Sequence, residues 1–502
     1  MFAVRSEDGR TPFLSANDRS RWSTIRALGD HGTYELDNVI FVEREHGPQR
    51  DPRWYSIDLV RHRGADGRLH YSSSKPPLYP TLLGGQYWLM TETLGVEFAE
   101  EPFFPGRLML LLNNVLPLAL AWLLLAHWLP RLTSDSWAQH FTLAAAVFGT
   151  LLSSFAVTLN NHLPAAVCAL AATYFAWRIL VEGARHWAAF AAAGFFAAFT
   201  AANELPALSF FCLAAAVLLW KAPLRTLLAF FPPALLVAFG FFFTNYLAHE
   251  DFRPAYGHRG VGPLVAEVGE LPDAEVKAGP VPEAVRAALA AKEIELPASA
   301  ILEEKTPETS WRIVEPPGEN LYEMRLEAAG WQVYAWDDWY DYPLSYWRED
   351  RKTGVDRGEP SRLVYAFHVP LGHHGWFSLT PVWLLALAGI PLAWRRPEQR
   401  PLVLLLLILS LVTAGFYIAR PLIDRNYGGV SCGARWLLWL VPFWLLLLPA
   451  AAQRLSPTWW GRAIALALLA VSVISAIYPG NNPWTHPWLF DYWTELGWIE
   501  YP

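Results

Sequence analysis

Asp18 sits between Asn17 and Arg19, with Arg21 close behind. A carboxylate flanked by guanidinium groups stays ionised at neutral pH and can take a proton from a hydroxyl. Near a helix start it can equally complement the helix dipole. Lys75 precedes Pro76-Pro77, which keep the chain extended. Its ammonium, held in place, suits a phosphate, or it anchors at an interface by snorkelling. The stretch 420–435 gathers Arg420, Arg425 and Arg435 around Tyr427-Gly428-Gly429 and Gly433. Glycine permits close backbone approach and arginine forks onto phosphate oxygens. The Lys-Ser/Thr of a Walker loop is absent. His162 and Glu204 fall in very short loops between apolar runs, each with a proline within two residues. Ionisable groups at such depth are costly, so each is either a ligand or a polar group satisfied by Asn160, Asn161 or Asn203. His368, His373 and His374 could ligate a metal, but no fixed-spacing motif is present and a structural role is the expectation.

The elements that must position these groups are mostly apolar. Hydrophobic residues make up 53% of the 502 and charged residues 17%, well under the ~25% of soluble chains. The chain therefore reads as an α-helical polytopic membrane protein. Ten stretches approach the ~20 residues needed to cross a bilayer: 107–129, 137–159, 162–181, 187–203, 205–220, 226–247, 376–394, 401–419, 436–452 and 462–478. The pair split at Asn203-Glu204-Leu205-Pro206 could instead be one broken or re-entrant unit. One set of short loops carries ten basic residues (Arg131, Arg178, Arg185, Lys221, Arg225, Arg395, Arg396, Arg400, Arg454, Arg462) and the alternate set three (Arg420, Arg425, Arg435). The positive-inside rule makes the first set cytoplasmic. Segments 1–106, 248–375 and 479–502 then lie outside, alternating with membrane blocks 107–247 and 376–478. Because Met1-Phe2-Ala3-Val4 is no signal peptide, the expectation is a first membrane helix encoded upstream; the alternative is a cytoplasmic first segment with 76–96, which is interrupted by Pro and Gly, as an extra span. A net charge of −7 argues against a nucleic-acid partner, and three cysteines (Cys168, Cys212, Cys432) against a disulfide framework.

In the first polar segment, Ser15 or Asn17 caps a helix starting near Asp18, with Trp22, Ile25 and Leu28 at helical spacing and Gly29 and Gly32 ending it. A strand is expected over 33–41. A strand pair brackets 64–67, its return strand delivering Ser72-Ser73-Ser74-Lys75 to the membrane surface. The second polar segment has 23 acids against 13 bases. Its Pro/Glu/Ala-rich part, 262–318, reads as a flexible insertion with one helix near 282–295, in a small lid on the membrane domain.

Four places together resemble the GT-C superfamily of polytopic glycosyltransferases, near protein O-mannosyltransferases, aminoarabinose transferases and their uncharacterised bacterial branch. These are Asp18 in the first outer loop, Lys75-Pro76-Pro77-Leu78, Gly375-Trp376-Phe377-Ser378-Leu379-Thr380-Pro381, and Tyr427-Gly428-Gly429 followed by Gly433-Ala434-Arg435-Trp436-Leu437. The likeness runs from 13 to about 450. It departs in that Arg19, not a second acid, follows Asp18, and in that the next outer loop reads Asn160-Asn161-His162. The resemblance implies a GT-C-like fold in a bacterial plasma membrane, with the active site facing the periplasm. It implies inverting transfer of a sugar from a polyprenyl-phosphate donor to a hydroxyl of a protein, lipid or glycan. Asp18 would be the general base, and Lys75, Arg425 and Arg435 would hold the phosphate. Arg19, Arg21, His162, Glu204 and Tyr427 would support them. A divalent metal is optional and no other cofactor is implied. The rival readings are a flippase of lipid-linked saccharide, and an O-antigen ligase or polymerase relying on Arg362 and His368.

Overall fold

A computed structural model describes residues 3–45, 47–272, 274–316 and 318–501. Among the described residues, seven helices are long and apolar enough to cross a membrane: Phe103–Leu132, Ser136–Val157, His162–Leu180, Pro223–His249, Pro397–Ala419, Arg435–Leu455 and Trp459–Ile477. Three of the ten expected stretches form shorter apolar helices, Trp187–Asn203, Leu205–Lys221 and Trp383–Trp394. The chain is thus a helical membrane-embedded protein. The helix Arg435–Leu455 lies at the centre, nearly all of its apolar side chains buried, while Pro223–His249 and Pro397–Ala419 present Leu235, Phe239, Leu404 and Leu411 outward. Pro130 and Pro449 sit within regular α-helix, whereas other prolines come with local rewinding. A π turn (Leu111–Val115) precedes Pro117, another (Thr226–Phe230) precedes Pro232-Pro233, and a 3-10 stretch (Arg435–Leu440) precedes Pro442; each relieves the clash with the preceding turn.

The two sets of loops gather at opposite ends of the bundle. At one end Glu182 pairs with Arg131 (2.9 Å) and Arg178 (2.7 Å). There too Arg396 donates to the Leu132 carbonyl and Ser456 to Asp135. At the other end the loops around 158–162, 204 and 425–435 meet both long polar segments.

The first polar segment holds α1 (Ala16–His31), α2 (Asp37–Ile40), β1 (Phe41–Val42), β2 (Gln49–Arg50), β3 (Leu59–Arg63), β4 (Leu69–Ser73) and α3 (Leu78–Leu94). Ser15 caps α1 in a reciprocal box with Asp18, and Gly32 closes it in the left-handed conformation, as such caps require. Gly29 does not end the helix. A side chain there would overlap the Tyr87 ring, and one at Gly84 would meet Leu28 at 3.0 Å, so the pair lets α1 and α3 pack closely. Phe13, Trp22, Trp54 and Phe98 form the core beneath them. The strand expected over 33–41 is instead α2 plus a two-residue strand, because Leu36 bonds the Tyr71 carbonyl and starts a turn.

The second polar segment departs most from its sequence reading. Residues 262–318 are not a flexible insertion. They supply most of a six-stranded antiparallel sheet, β5 (Arg259–Gly269), β6 (Gly279–Pro280), β7 (Ile301–Thr306), β8 (Ser310–Glu315), β9 (Glu319–Glu327) and β10 (Gly330–Asp338), in the order β5-β10-β9-β8-β7-β6. The expected helix is Glu283–Ala290. Its Val285 and Leu289 close a core with Leu302, Ile313, Met324, Trp331 and Val333. The lid rests on the first segment where Trp347 donates to the Ile57 carbonyl (2.8 Å) and Arg61 to the Trp339 carbonyl (2.9 Å).

Candidate active site

The hairpin sets the centre of the site. Leu59 pairs with Ser73, and one step further the Ser74 amide donates to the Asp58 carbonyl at 3.1 Å. The register therefore brings Asp58 beside Lys75, whose ammonium lies 2.9 Å from Asp58 Oδ2. The other carboxylate oxygen, Oδ1, has no partner among the described residues. Sequence reasoning passed over Asp58. The signal was there, since residues flanking a two-stranded ladder face each other, but it needed the register.

Two guanidinium groups complete a cationic trio around Asp58. Arg21, on α1, donates to Asn161 Oδ1 at 2.6 Å and to the Asn17 carbonyl at 2.9 Å. Arg435 donates through Nε to the Gly428 carbonyl (2.8 Å) and through Nη1 to His162 Nε2 (3.2 Å). Arginine can only donate, so His162 carries its proton on Nδ1 and gives it to Glu204. Asn161 donates to Glu204 Oε1 as well, at 2.8 Å. Glu204 reaches this place because the chain breaks there, extended, between the helices Trp187–Asn203 and Leu205–Lys221. Gly428 and Gly429 have φ of +91° and +71°, and a Cβ on Gly428 would meet Arg435 Nε at 2.6 Å, so the loop folds around that guanidinium only with glycine.

The electrostatics match this crowding. Burial, with Arg21 and Arg435 nearby, brings the Lys75 ammonium down to about 8 although Asp58 opposes the shift. Burial and then Arg435 bring Arg21 down to about 10. Lys75, Arg21 and Arg435 repel one another at this spacing, a strain that an entering anion relieves. On the lid side Asp356 accepts from Tyr346 at 2.9 Å. Burial raises its carboxyl above the ordinary carboxylate range, against that hydrogen bond, and Asp58 adds to the rise.

Arg21, Lys75, His162, Glu204 and Arg435 thus come together, joined by Asp58, Asn161 and Asp356. Other expected residues take different places. Asp18 is fully buried, and its oxygens accept from the amides of Leu14 (2.9 Å) and Ser15 (2.7 Å), the Ser15 hydroxyl and Thr158 Oγ1 (2.8 Å). That leaves no lone pair open to a substrate. Thr158 accepts in turn from Trp484 Nε1 at 2.9 Å, and the Trp484 ring carries Arg435 at 4.8 Å. Asp18 therefore braces the floor under Arg435. Arg19 turns to the Tyr55 carbonyl (3.4 Å). Arg425 holds the Pro360 carbonyl (3.0 Å), bracing the lid loop instead of joining the trio. Tyr427 lies with Glu359 and Tyr501, stacked on His374. His368, His373 and His374 meet in that aromatic node with His486. Among the described residues no group of three or more His, Cys, Asp or Glu is arranged to hold a metal ion. Arg362 is exposed, apart from the buried His368.

No known protein family, curated protein or solved structure matches this chain.

Proposed function

We propose that the protein is a membrane glycosyltransferase that moves a sugar from a polyprenyl-phosphate donor to an acceptor hydroxyl at the outer face of a bacterial plasma membrane. One observation carries the reading: an open carboxylate oxygen, Asp58 Oδ1, stands beside Lys75 and within electrostatic reach of Arg21 and Arg435 at one end of an apolar helix bundle, next to a folded lid. The phosphate sits among Lys75, Arg21 and Arg435. Asp58 Oδ1 takes the proton as the acceptor oxygen bonds to the anomeric carbon. The bond from that carbon to the phosphate oxygen breaks on the opposite face, so configuration inverts. Charge grows on the departing phosphate, where prepositioned cations act most strongly. Asp58 thereby replaces Asp18 in the role of base, and Asp356 stands by as the second carboxylate.

The test is transfer from a panel of labelled polyprenyl-phosphate sugars by the purified protein in detergent, without a membrane gradient. Asp58→Asn should lower turnover by about 10²–10⁴-fold at unchanged elution volume and thermal midpoint. Wild-type-like turnover in that variant removes Asp58 from the chemistry. Transport across sealed vesicles with no transfer in detergent turns the assignment to a flippase.

A further inference from the structure

The lid carries cations of its own that the trio does not account for. Arg259, the first residue of β5, spends only Nη1 on a carboxylate, Asp424 Oδ1 at 3.2 Å. Its Nε and Nη2 are buried with no hydrogen-bond partner. The guanidinium is held flat by aromatic rings, 4.7 Å from the Tyr340 centroid and 5.2 Å from that of Trp347. Close to it lies Lys352, only 4% exposed, with no ion pair or side-chain hydrogen bond among the described residues. The Lys352 backbone is fixed by Arg357, which donates to its carbonyl at 3.0 Å. Glu349, Asp424 and Asp338 lie within electrostatic reach of Lys352, but Asp424 is already shared with Arg420 at 2.5 Å and Asp338 with Lys305 at 3.6 Å. A guanidinium with two buried, idle N–H groups is expensive, and the Lys352 ammonium beside it adds a second positive charge. An oxyanion would satisfy both, and the guanidinium fork fits one in two-pronged fashion.

The position matters as much as the charge. Tyr340, which supports Arg259 on one side, lies within electrostatic reach of Asp58 on the other. Asp356 likewise feels Asp58, Arg435 and Lys352. The lid cations and the trio therefore lie within electrostatic reach of the same carboxylates.

We infer that Arg259 and Lys352 form a second oxyanion subsite, which takes a phosphate-type group on the substrate that approaches from the lid. This rests on the glycosyltransferase reading only in naming that substrate as the acceptor; the same chemistry would be met by a second phosphate on the lipid donor. The experiment uses the full chain in detergent and three probes: farnesyl phosphate, farnesyl diphosphate and inorganic phosphate. Inorganic phosphate is expected to bind wild-type protein already saturated with farnesyl phosphate. Lys352→Met should weaken that second event about tenfold or more, the effect of losing one charged hydrogen bond, while farnesyl phosphate affinity stays within about threefold. Lys352→Arg should restore it, which separates a lost contact from a damaged fold. If Lys352→Met instead weakens farnesyl diphosphate alone, the oxyanion is the donor's second phosphate. Phosphate affinity unchanged in both Lys352→Met and Arg259→Met, with diphosphate binding unchanged as well, overturns the subsite. Should farnesyl phosphate fail to bind while inorganic phosphate still requires Lys352, the donor assignment falls and the subsite stands.

Discussion

The state of Lys75 gives the sharpest test of the cationic trio. Its half-buried ammonium lies beside Arg21 and Arg435 and is brought down from 10.5 to about 8. The displaced titration corresponds to a penalty of about 3 kcal/mol on the ammonium relative to water. A bound phosphate monoanion or dianion offsets that penalty, so the anion selects the protonated form. Below pH 8 the competent form dominates and affinity is flat. Above it the competent fraction falls about tenfold for each pH step, so the apparent Kd for farnesyl phosphate should rise about tenfold between pH 7 and 9. Asp58→Asn removes the neighbour that supports the ammonium and should move the inflection below 8. Lys75→Arg keeps its charge throughout and should flatten the profile over that range. Titration calorimetry at fixed ionic strength reads all three, and wild-type protein should take up a proton on binding above pH 8. A flat wild-type profile to pH 9, or a slope that survives Lys75→Arg, refutes the claim that a crowded, protonatable Lys75 meets the anion.

Asp18→Ala should lower stability by about 1–3 kcal/mol through the lost cap and the orphaned Thr158 hydroxyl, read as a drop in thermal midpoint; turnover lost at an unchanged midpoint would instead return Asp18 to the chemistry. Gly428→Ala places a Cβ against Arg435 in a left-handed backbone and should cost about 1–2 kcal/mol together with weaker farnesyl phosphate binding, measurable in one thermal-shift series. Gly29→Leu drives a side chain into Tyr87 and should separate α1 from α3, which limited proteolysis between residues 32 and 78 would detect. A fragmentation pattern like that of the wild type would show that the two helices do not depend on this close approach.

What the sequence displays well is whatever is local. The Ser15 cap, the Gly32 stop and the β3–β4 hairpin follow from neighbours along the chain. The long apolar runs likewise announce their helices. Asp58 was missed because its role depends on cross-strand register, and Asp356 because it reaches the centre only through the lid. Asp18 is ambiguous in the sequence because a capping carboxylate and a catalytic one share the same flanking residues; its four acceptor contacts favour the cap. The lid sheet hid behind its composition. Beside the buried Leu302 of β7, Glu304 is exposed and Lys305 is held by the buried Glu323 and by Asp338, so a sheet whose charges are partly paired reads from composition as a charged, unstructured tract.

The break at Glu204 also bears on the surrounding lipid. The helices that meet there, Trp187–Asn203 and Leu205–Lys221, have 17 residues each, and each reaches about 25 Å, against a hydrocarbon layer of about 30 Å. A bilayer accommodates such a mismatch by thinning around the short elements. Its surface then dips at the flank where Glu204 meets His162 and Asn161, and a long isoprenoid tail arriving there would find its polar end already lowered toward the protein.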